Sequence, residues 1–203
     1  KYCERILWVE SIEKKLKLKA DDVLTLANVI LKKDRAATNV SYILIMIINS
    51  LVFSKLYYCS SIWANTSDTN IKRLQGIQNY TARIVCNIRK YDHVSPALKS
   101  LKWIPVKSHL YLRDAVIASK YMTGLSPNNY LSNKFISRGS ISGQATRNSQ
   151  KLEIPLCKSA TGQSFYYRIV SIWNAISPTL KLSQCVSSFK CILKLDLLKK
   201  FSP

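Results

Sequence analysis

Residues 68–90, DTNIKRLQGIQNYTARIVCNIRK, decide the fold of this 203-residue chain. Apolar residues recur in this stretch at steps of three and four, which places them on one face of a helix. They are Ile71, Leu74, Ile77, Ile84, Val85 and Ile88. Thr66, Ser67 and Asp68 form a helix-start signal immediately before the apolar pattern. The pattern therefore predicts a helix that runs to about Arg89.

Helical patterns also lie upstream of this stretch. Residues 4–33 are weakly amphipathic, residues 34–39 form a polar break, and residues 40–53 are strongly apolar. The apolar run is shorter than the roughly 20 residues that a membrane span needs. It predicts a buried helix, and we expect Trp63 and Trp103 to be largely buried as well.

Downstream of residue 90 the helical pattern alternates with turns. Helices are predicted over 106–122, over 164–176 and beyond a cap at Ser187. Residues 132–150 are a polar loop region, and 152–157 form a short extended segment because Pro155 disfavours a helix there. The predicted fold class is mainly α, with little β.

The net charge limits the classes of partner. Lys and Arg number 31 against 11 Asp and Glu, which gives a formal net charge of +20. Because 47% of the residues are hydrophobic, the chain can bury a core, and a fully disordered chain is excluded. An excess of positive charge on a folded domain indicates a polyanionic partner, nucleic acid before an anionic membrane surface.

The candidate nucleic-acid-binding residues follow from where the cations fall. Lys72, Arg83 and Lys90 share the helix stripe opposite the apolar face, at about 100° per residue. Cations on neighbouring segments, some beside aromatic residues, suit phosphates and unstacked bases. The full candidate set is Lys72, Arg73, Arg83, Arg89, Lys90, Arg113, Lys120, Arg147 and Arg168.

We find no complete active site in the sequence. Asp21 and Asp22 are adjacent, as in the metal-binding turn of polymerases, but a solvated helix start also explains them. Asp92-His93 and His109 have no nucleophile in a suitable context. We therefore predict no catalytic residue, no metal site, no cofactor, no membrane partner and no small-molecule substrate.

The six cysteines lack the paired spacing of a zinc site. The sequence shows no secretory leader, so we expect reduced, mostly buried thiols and an intracellular location, nuclear or cytoplasmic. The chain begins with Lys1 and not with Met, so we expect it to be part of a longer protein.

From about Asn49 onward, the chain resembles the C-terminal part of non-LTR, LINE-type (jockey-like) retrotransposon reverse transcriptases. The resemblance rests on a series of short segments in the same order as in that family. They are NSLV (49–52), LYYC (56–59), IW (62–63), LQGIQN (74–79), ARIV (82–85), LKSLKWIPV (98–106), YMTGLSP (121–127), TRN (146–148), IP (154–155), TGQSF (161–165), YR (167–168), WN (173–174) and SFK (188–190). Met122 departs from the family's pattern.

The resemblance implies a fold and a role. Residues 41–91 look like the helical thumb, residues 92–203 like a second, post-thumb helical subdomain, and residues 1–40 match poorly. The parent enzymes are RNA-directed DNA polymerases that use Mg²⁺, but the catalytic palm has no counterpart here. We therefore expect a non-catalytic fragment of a transposable element that binds RNA or an RNA–DNA hybrid, with the rest of the polymerase as a further partner. The alternative is a basic helical module for protein interaction or structure, with no specific role in nucleic-acid or DNA binding.

Overall fold

The chain is largely helical. The computed structural model describes residues 10–11, 14–18, 21–22, 25, 37–125, 135–142, 149–154, 165–183 and 185–200. In these ranges there are helices and one isolated antiparallel bridge, between Ser137 and Leu152, but no β-strand. The prediction of a mainly α fold is confirmed.

The chain divides into two compact units, Lys1–Lys107 and Ser108–Pro203. The segment boundaries at residues 40 and 91 that the sequence suggests stay predictions. The helices described in the first unit are α1 (Ala37–Ile48), a π-helical turn (Asn49–Phe53), α2 (Ser54–Leu56), α3 (Ser60–Trp63), α4 (Asp68–Cys86) and α5 (Ser95–Ser100).

The apolar run forms a helix, as predicted, but it is buried on one side only. Helix α1 packs against α4 and buries Leu44 and Ile48. The opposite side of α1 remains exposed and includes Tyr42, Ile43 and Met46. The prediction of a buried helix was therefore wrong for that face, because the described neighbours cover only one side.

The two tryptophans expected in the core differ in burial. Trp63 is 5% exposed, and its Nε1 donates a hydrogen bond of 3.0 Å to the Tyr58 carbonyl oxygen. Trp103 is only partly buried, with its ring edge-on to Phe53 at a centroid distance of 4.7 Å. The prediction is confirmed for Trp63, whereas Trp103 lies at the margin of the core.

Helix α4 begins where the sequence predicts and ends earlier. The Ser67 side chain caps it by accepting a hydrogen bond from the Asn70 backbone N–H. Asn87 adopts a left-handed conformation, with φ of 50°, and the Ile88 N–H bonds back to the Arg83 carbonyl oxygen at 3.1 Å. This left-handed cap ends the helix at Cys86, so the prediction of a helix to about Arg89 was too long.

The second unit takes its buried side chains mainly from three helices. Helix α6 has the predicted bounds, Val106–Met122, and its first two residues belong to the first unit. Gly124 follows at φ 71°, which only glycine adopts readily, and ends the helix as predicted. The other helices described here are α7 (Arg138–Ser142), α8 (Phe165–Ala175), α9 (Pro178–Lys181) and α10 (Val186–Lys200).

Two local predictions in the second unit need correction. The predicted polar loop 132–150 contains the short helix α7, and Cys185 rather than Ser187 caps α10, because the Ser188 N–H donates to its Sγ at 3.3 Å. In the predicted extended segment 152–157, Leu152 forms the bridge with Ser137, and residues 155–157 lie outside the described ranges.

The four cysteines among the described residues are free thiols: Cys59, Cys86, Cys185 and Cys191. The expectation of mostly buried thiols is wrong for these four, since three are exposed and Cys86 is half-buried. Within the described ranges, every helix is too short or too polar to cross a bilayer.

Candidate nucleic-acid interface

The predicted basic stripe on α4 is only partly available to a ligand. Lys72 is exposed and has no partner among the described residues, so its ammonium group is accessible. Arg73 is also exposed, but its Nη1 pairs with Glu10 Oε1 at 3.2 Å. Surface pairs of this kind are weak, so a polyanion competes readily for Arg73.

Arg83 does not project freely into solvent. It is half-buried, and its Nη2 donates a hydrogen bond of 3.2 Å to the Asp92 carbonyl oxygen. The helical wheel places Arg83 on the outer face, but the chain beyond Asn87 turns back toward that end of the helix. The stripe position therefore does not leave the Arg83 guanidinium free for a ligand, and Arg83 instead anchors the segment that follows α4.

That segment exposes two cations and one aromatic ring. We call residues 89–91, Arg89, Lys90 and Tyr91, the basic loop. Tyr91 is 91% exposed, and the Lys90 Nζ lies 5.7 Å from its ring centroid. Arg89 is exposed and has no partner within the described part of the chain. Lys90 therefore belongs to the basic loop and not to the helix stripe, which corrects its predicted position.

Sequence reasoning missed Tyr91. The sequence feature that could have identified it is an aromatic residue directly after two cations, outside any apolar pattern. Large aromatic rings are normally half-buried or buried, so a ring this exposed has a surface free for stacking. The exposed carboxylate of Asp92 follows directly, which lowers the net charge of the segment without covering the ring.

The side-chain amides of the LQGIQN segment are used for structure. Gln78 is 2% exposed, and its Nε2 donates a hydrogen bond of 2.9 Å to the Ile104 carbonyl oxygen. Gln75 Oε1 accepts from the Val106 backbone N–H at 2.8 Å, and Gln75 Nε2 donates to Gln78 Oε1 and Asn79 Oδ1 at 2.9 Å. These amides hold the segment 104–106 against α4.

In the second unit, Arg168 is committed to a buried ion pair. Its Nε lies 2.6 Å from Asp114 Oδ2, and the Asp114 side chain is 1% exposed. Because the carboxylate pairs with the guanidinium, a ligand would have to compete with Asp114 for Arg168, and the nucleic-acid-binding role of Arg168 stays a prediction. Tyr166 packs on Phe135, which also contacts Tyr121, at centroid distances of 5.4 and 5.5 Å.

Other cations of the second unit remain accessible. Arg113 and Lys120 are exposed on α6, as the sequence predicts, and neither has a partner among the described residues. Arg147 lies outside the described residues. Burial, together with the charges of Arg113, Lys190 and Lys194, lowers the pKa of His109 to about 4. The two lysines were not predicted as site residues, although their spacing of four on a helix was a visible signal.

The adjacent carboxylates do not form a polymerase-type turn. Asp21 and Asp22 are both helical, and the Tyr80 hydroxyl donates a hydrogen bond of 2.9 Å to Asp21 Oδ1. Burial and this hydrogen bond raise the pKa of Tyr80. In the described ranges, no three side chains of His, Cys, Asp or Glu are grouped as metal ligands.

Comparisons with protein-family models, with curated proteins and with solved structures found no match.

Proposed function

We propose that this chain binds single-stranded RNA or an RNA–DNA hybrid, with little sequence preference, as a non-catalytic part of a retroelement reverse transcriptase. The observation that carries the proposal is the basic loop. It presents the 91%-exposed ring of Tyr91 next to the charges of Arg89 and Lys90.

In this proposal the aromatic ring and the cations contact different parts of the nucleic acid. An aromatic ring stacks on an unpaired base of any identity, which is worth about 1–3 kcal/mol per base. Cations beside the ring contact the flanking phosphates and release counterions, which makes the affinity salt-dependent. The net charge of +20 attracts the polyanion over a longer range.

The family resemblance supports a template–primer role within this proposal. Two of the segments that carry it, LQGIQN and LKSLKWIPV, contact each other through Gln75 and Gln78. Because these two segments contact each other in the folded chain, there is a physical reason for both to be present in one sequence. Catalysis, and the Mg²⁺ that the parent enzymes use, would then belong to carboxylates in another segment of a longer protein.

The test is fluorescence anisotropy with a labelled single-stranded RNA and an RNA–DNA hybrid, at several salt concentrations. We expect Tyr91→Ala to weaken binding to single-stranded RNA by about 5- to 150-fold, the equivalent of about 1–3 kcal/mol. Tyr91→Phe should bind like the parent, because the ring remains. Tyr58→Ala is the matched control, since Tyr58 is 68% exposed in the same unit and has no cation adjacent in sequence.

Equal affinities for Tyr91→Ala and Tyr58→Ala, or no salt-dependent RNA binding by the parent, would overturn the proposal.

The second candidate function is a protein-interaction module. It is favoured by the exposed apolar side chains of the first unit, among them Tyr42, Ile43 and Met46 on one side of α1. Binding through these apolar side chains would be insensitive to salt and to Tyr91→Ala, so the same experiment separates the two functions.

A further inference from the structure

Helices α4, α5 and α6 end in the same way, with one residue in the left-handed conformation. This residue is Asn87 after α4, Lys102 after α5 and Gly124 after α6, with φ of 50°, 54° and 71°. In each case the backbone N–H of the next residue bonds back to the carbonyl oxygen five positions earlier. Glycine adopts this conformation readily and asparagine is enriched in it, whereas the Cβ of a lysine lies too close to the following carbonyl oxygen. Of these three helix ends, the one at Lys102 is therefore strained.

The surrounding structure holds Lys102 in this conformation. Its backbone N–H donates to the Lys99 carbonyl oxygen at 2.9 Å, and the ring of the next residue, Trp103, lies edge-on to Phe53 at 4.7 Å. The Ile104 carbonyl oxygen is in turn fixed by the amide of α4 that bonds to it at 2.9 Å. The Lys102 side chain itself is exposed and has no ion pair with another described residue. The strain therefore presents a free charge at the surface of the first unit.

Lys102 lies close to the basic loop. The Cys86 Sγ at the end of α4 is 3.9 Å from the Ser100 Oγ at the end of α5, so the two helix ends are in contact. Arg89 follows Cys86 by three residues, and Lys102 follows Ser100 by two. Because a residue spans at most about 3.6 Å, the Cα atom of Arg89 is within about 11 Å of that of Cys86, and the Cα atom of Lys102 is within about 7 Å of that of Ser100.

We propose that Lys102 is a further phosphate-binding residue, which contacts the nucleic-acid strand beyond the basic loop. This inference rests on the proposed function. Strained backbone conformations persist where the surrounding structure enforces them, and they cluster at functional sites. A lysine ammonium is a compact point charge that suits a phosphate. A strand that stacks a base on Tyr91 and runs toward the end of α5 brings one of its phosphates to Lys102.

A purely structural role for Lys102 makes a different prediction. A cation at the C-terminal end of a helix can stabilise that helix through its dipole. In that case, removal of the charge lowers the stability of the chain. If Lys102 instead binds phosphate, removal of the charge weakens RNA binding and leaves the stability unchanged, and relief of the strained backbone raises the stability.

The experiment compares Lys102→Gly, Lys102→Gln and Lys102→Arg in the full chain. A labelled single-stranded RNA measures affinity by anisotropy over a range of salt concentrations, and urea denaturation measures stability. We expect Lys102→Gly to lower the slope of log affinity against log salt by about 0.7, which is about a 5-fold loss of affinity at about 0.1 M salt. Its urea midpoint should be equal to that of the parent or higher, because glycine adopts the left-handed conformation without strain.

The other two variants separate charge from backbone conformation. Lys102→Gln should lose the same affinity as Lys102→Gly with no gain in stability, since it removes the charge and keeps the strain. Lys102→Arg should bind RNA like the parent, because it keeps the charge.

Lys107→Gln is the matched control for loss of one exposed charge. Lys107 pairs with Asp68 at 3.1 Å, and Asp68 is the first residue of α4. Cys86 is the last residue of this helix, which places it about 27 Å away at about 1.5 Å per residue. A phosphate contact at the Lys102 end of α4 should therefore be unaffected by Lys107→Gln.

The outcomes separate this inference from the proposed function. If Lys102→Gly and Lys102→Gln bind RNA like the parent while Tyr91→Ala binds more weakly, the role of Lys102 is overturned and the proposed function stands. Absence of RNA binding by the parent overturns both. A lower urea midpoint in both Lys102→Gly and Lys102→Gln assigns Lys102 to the stability of α5 and overturns its role in binding. Equal slopes for Lys102→Gln and Lys107→Gln overturn it as well, because any exposed charge would then have the same effect.

Discussion

The side-chain amide of Gln78, in the middle of α4, donates a hydrogen bond of 2.9 Å to the backbone carbonyl oxygen of Ile104. The two residues are 26 positions apart, and the bond is fully buried. A buried carbonyl that loses its donor retains the cost of desolvation, so this bond fixes the position of the 104–106 segment.

We expect Gln78→Leu to lower the free energy of unfolding of the first unit by about 1–3 kcal/mol, because it leaves the Ile104 carbonyl and the Gln75 amide short of partners. Urea denaturation measures the change. Thr69→Leu on the exposed side of the same helix is the control and should have a small effect. Equal stability of the two variants would show that the amide contact does not hold the segment.

The sequence predicts α4 and α6 well because their signals are local. Ser67 and the three- and four-residue periodicity define the start and the buried face of α4, and Gly124 marks the end of α6. The path of the chain after Asn87 could not be predicted, since a left-handed asparagine is one of several possible helix ends. That path determines the exposure of both Arg83 and Tyr91.

The candidate site in the second unit was less predictable for a similar reason. The pairing of Arg168 with Asp114 joins residues that are 54 positions apart, and nothing in either local pattern indicates it. The charges that lower the pKa of His109 come from both α6 and α10, so their effect depends on the tertiary structure. Sequence identified the charge and the helices that carry it, but not the partners.

The Asp114–Arg168 ion pair should be sensitive to loss of either member. We expect Asp114→Asn to destabilise the second unit by about 3–5 kcal/mol, since it leaves the guanidinium partly buried without a counter-charge. The control is Asp196→Asn, which breaks the exposed pair with Lys200 and should cost at most about 0.5 kcal/mol. Thermal unfolding followed by circular dichroism compares them, and similar losses in both variants would contradict the importance of burial.

His109 makes stability depend on pH. Its pKa is about 4 in the folded chain and about 6.5 when unfolded, so the unfolded state binds more protons between these values. Neutral His109 contributes fully to the free energy of unfolding above about pH 6.5. As the pH falls toward 4, this free energy decreases by about 2–3 kcal/mol. We expect His109→Gln to flatten this part of the stability profile, and His93→Gln to leave it unchanged. Parallel profiles for the parent and His109→Gln would contradict the burial of a neutral imidazole.

Cys185, which caps α10, should be more reactive than Cys191 within that helix. Hydrogen bonds from the Ser188 side chain and backbone lower the pKa of Cys185, which increases its thiolate fraction at neutral pH. We expect iodoacetamide to alkylate Cys185 faster than Cys191, which is also exposed, as measured by peptide mass mapping over a range of pH. In Ser188→Ala, the pH midpoint of alkylation of Cys185 should move upward. An unchanged midpoint would rule out the serine as the cause.

Lys72 and Arg83 should affect RNA binding in different ways, although the helical wheel places them together. Lys72 is exposed with no partner among the described residues, so Lys72→Gln should remove one phosphate contact. On single-stranded RNA this lowers the slope of log affinity against log salt by about 0.7, with no change in stability.

Arg83→Gln should instead lower the free energy of unfolding by about 0.5–1.5 kcal/mol, because it loses the hydrogen bond to the Asp92 carbonyl oxygen. It should also weaken RNA binding indirectly, since the basic loop is no longer anchored. Lys14→Gln is the control, because the acidic neighbours of Lys14 in the sequence offset its charge. Salt titrations of affinity, paired with urea denaturation, distinguish these effects. If all three variants and the parent gave equal slopes, RNA binding would depend on diffuse charge alone. That result would favour the protein-interaction module.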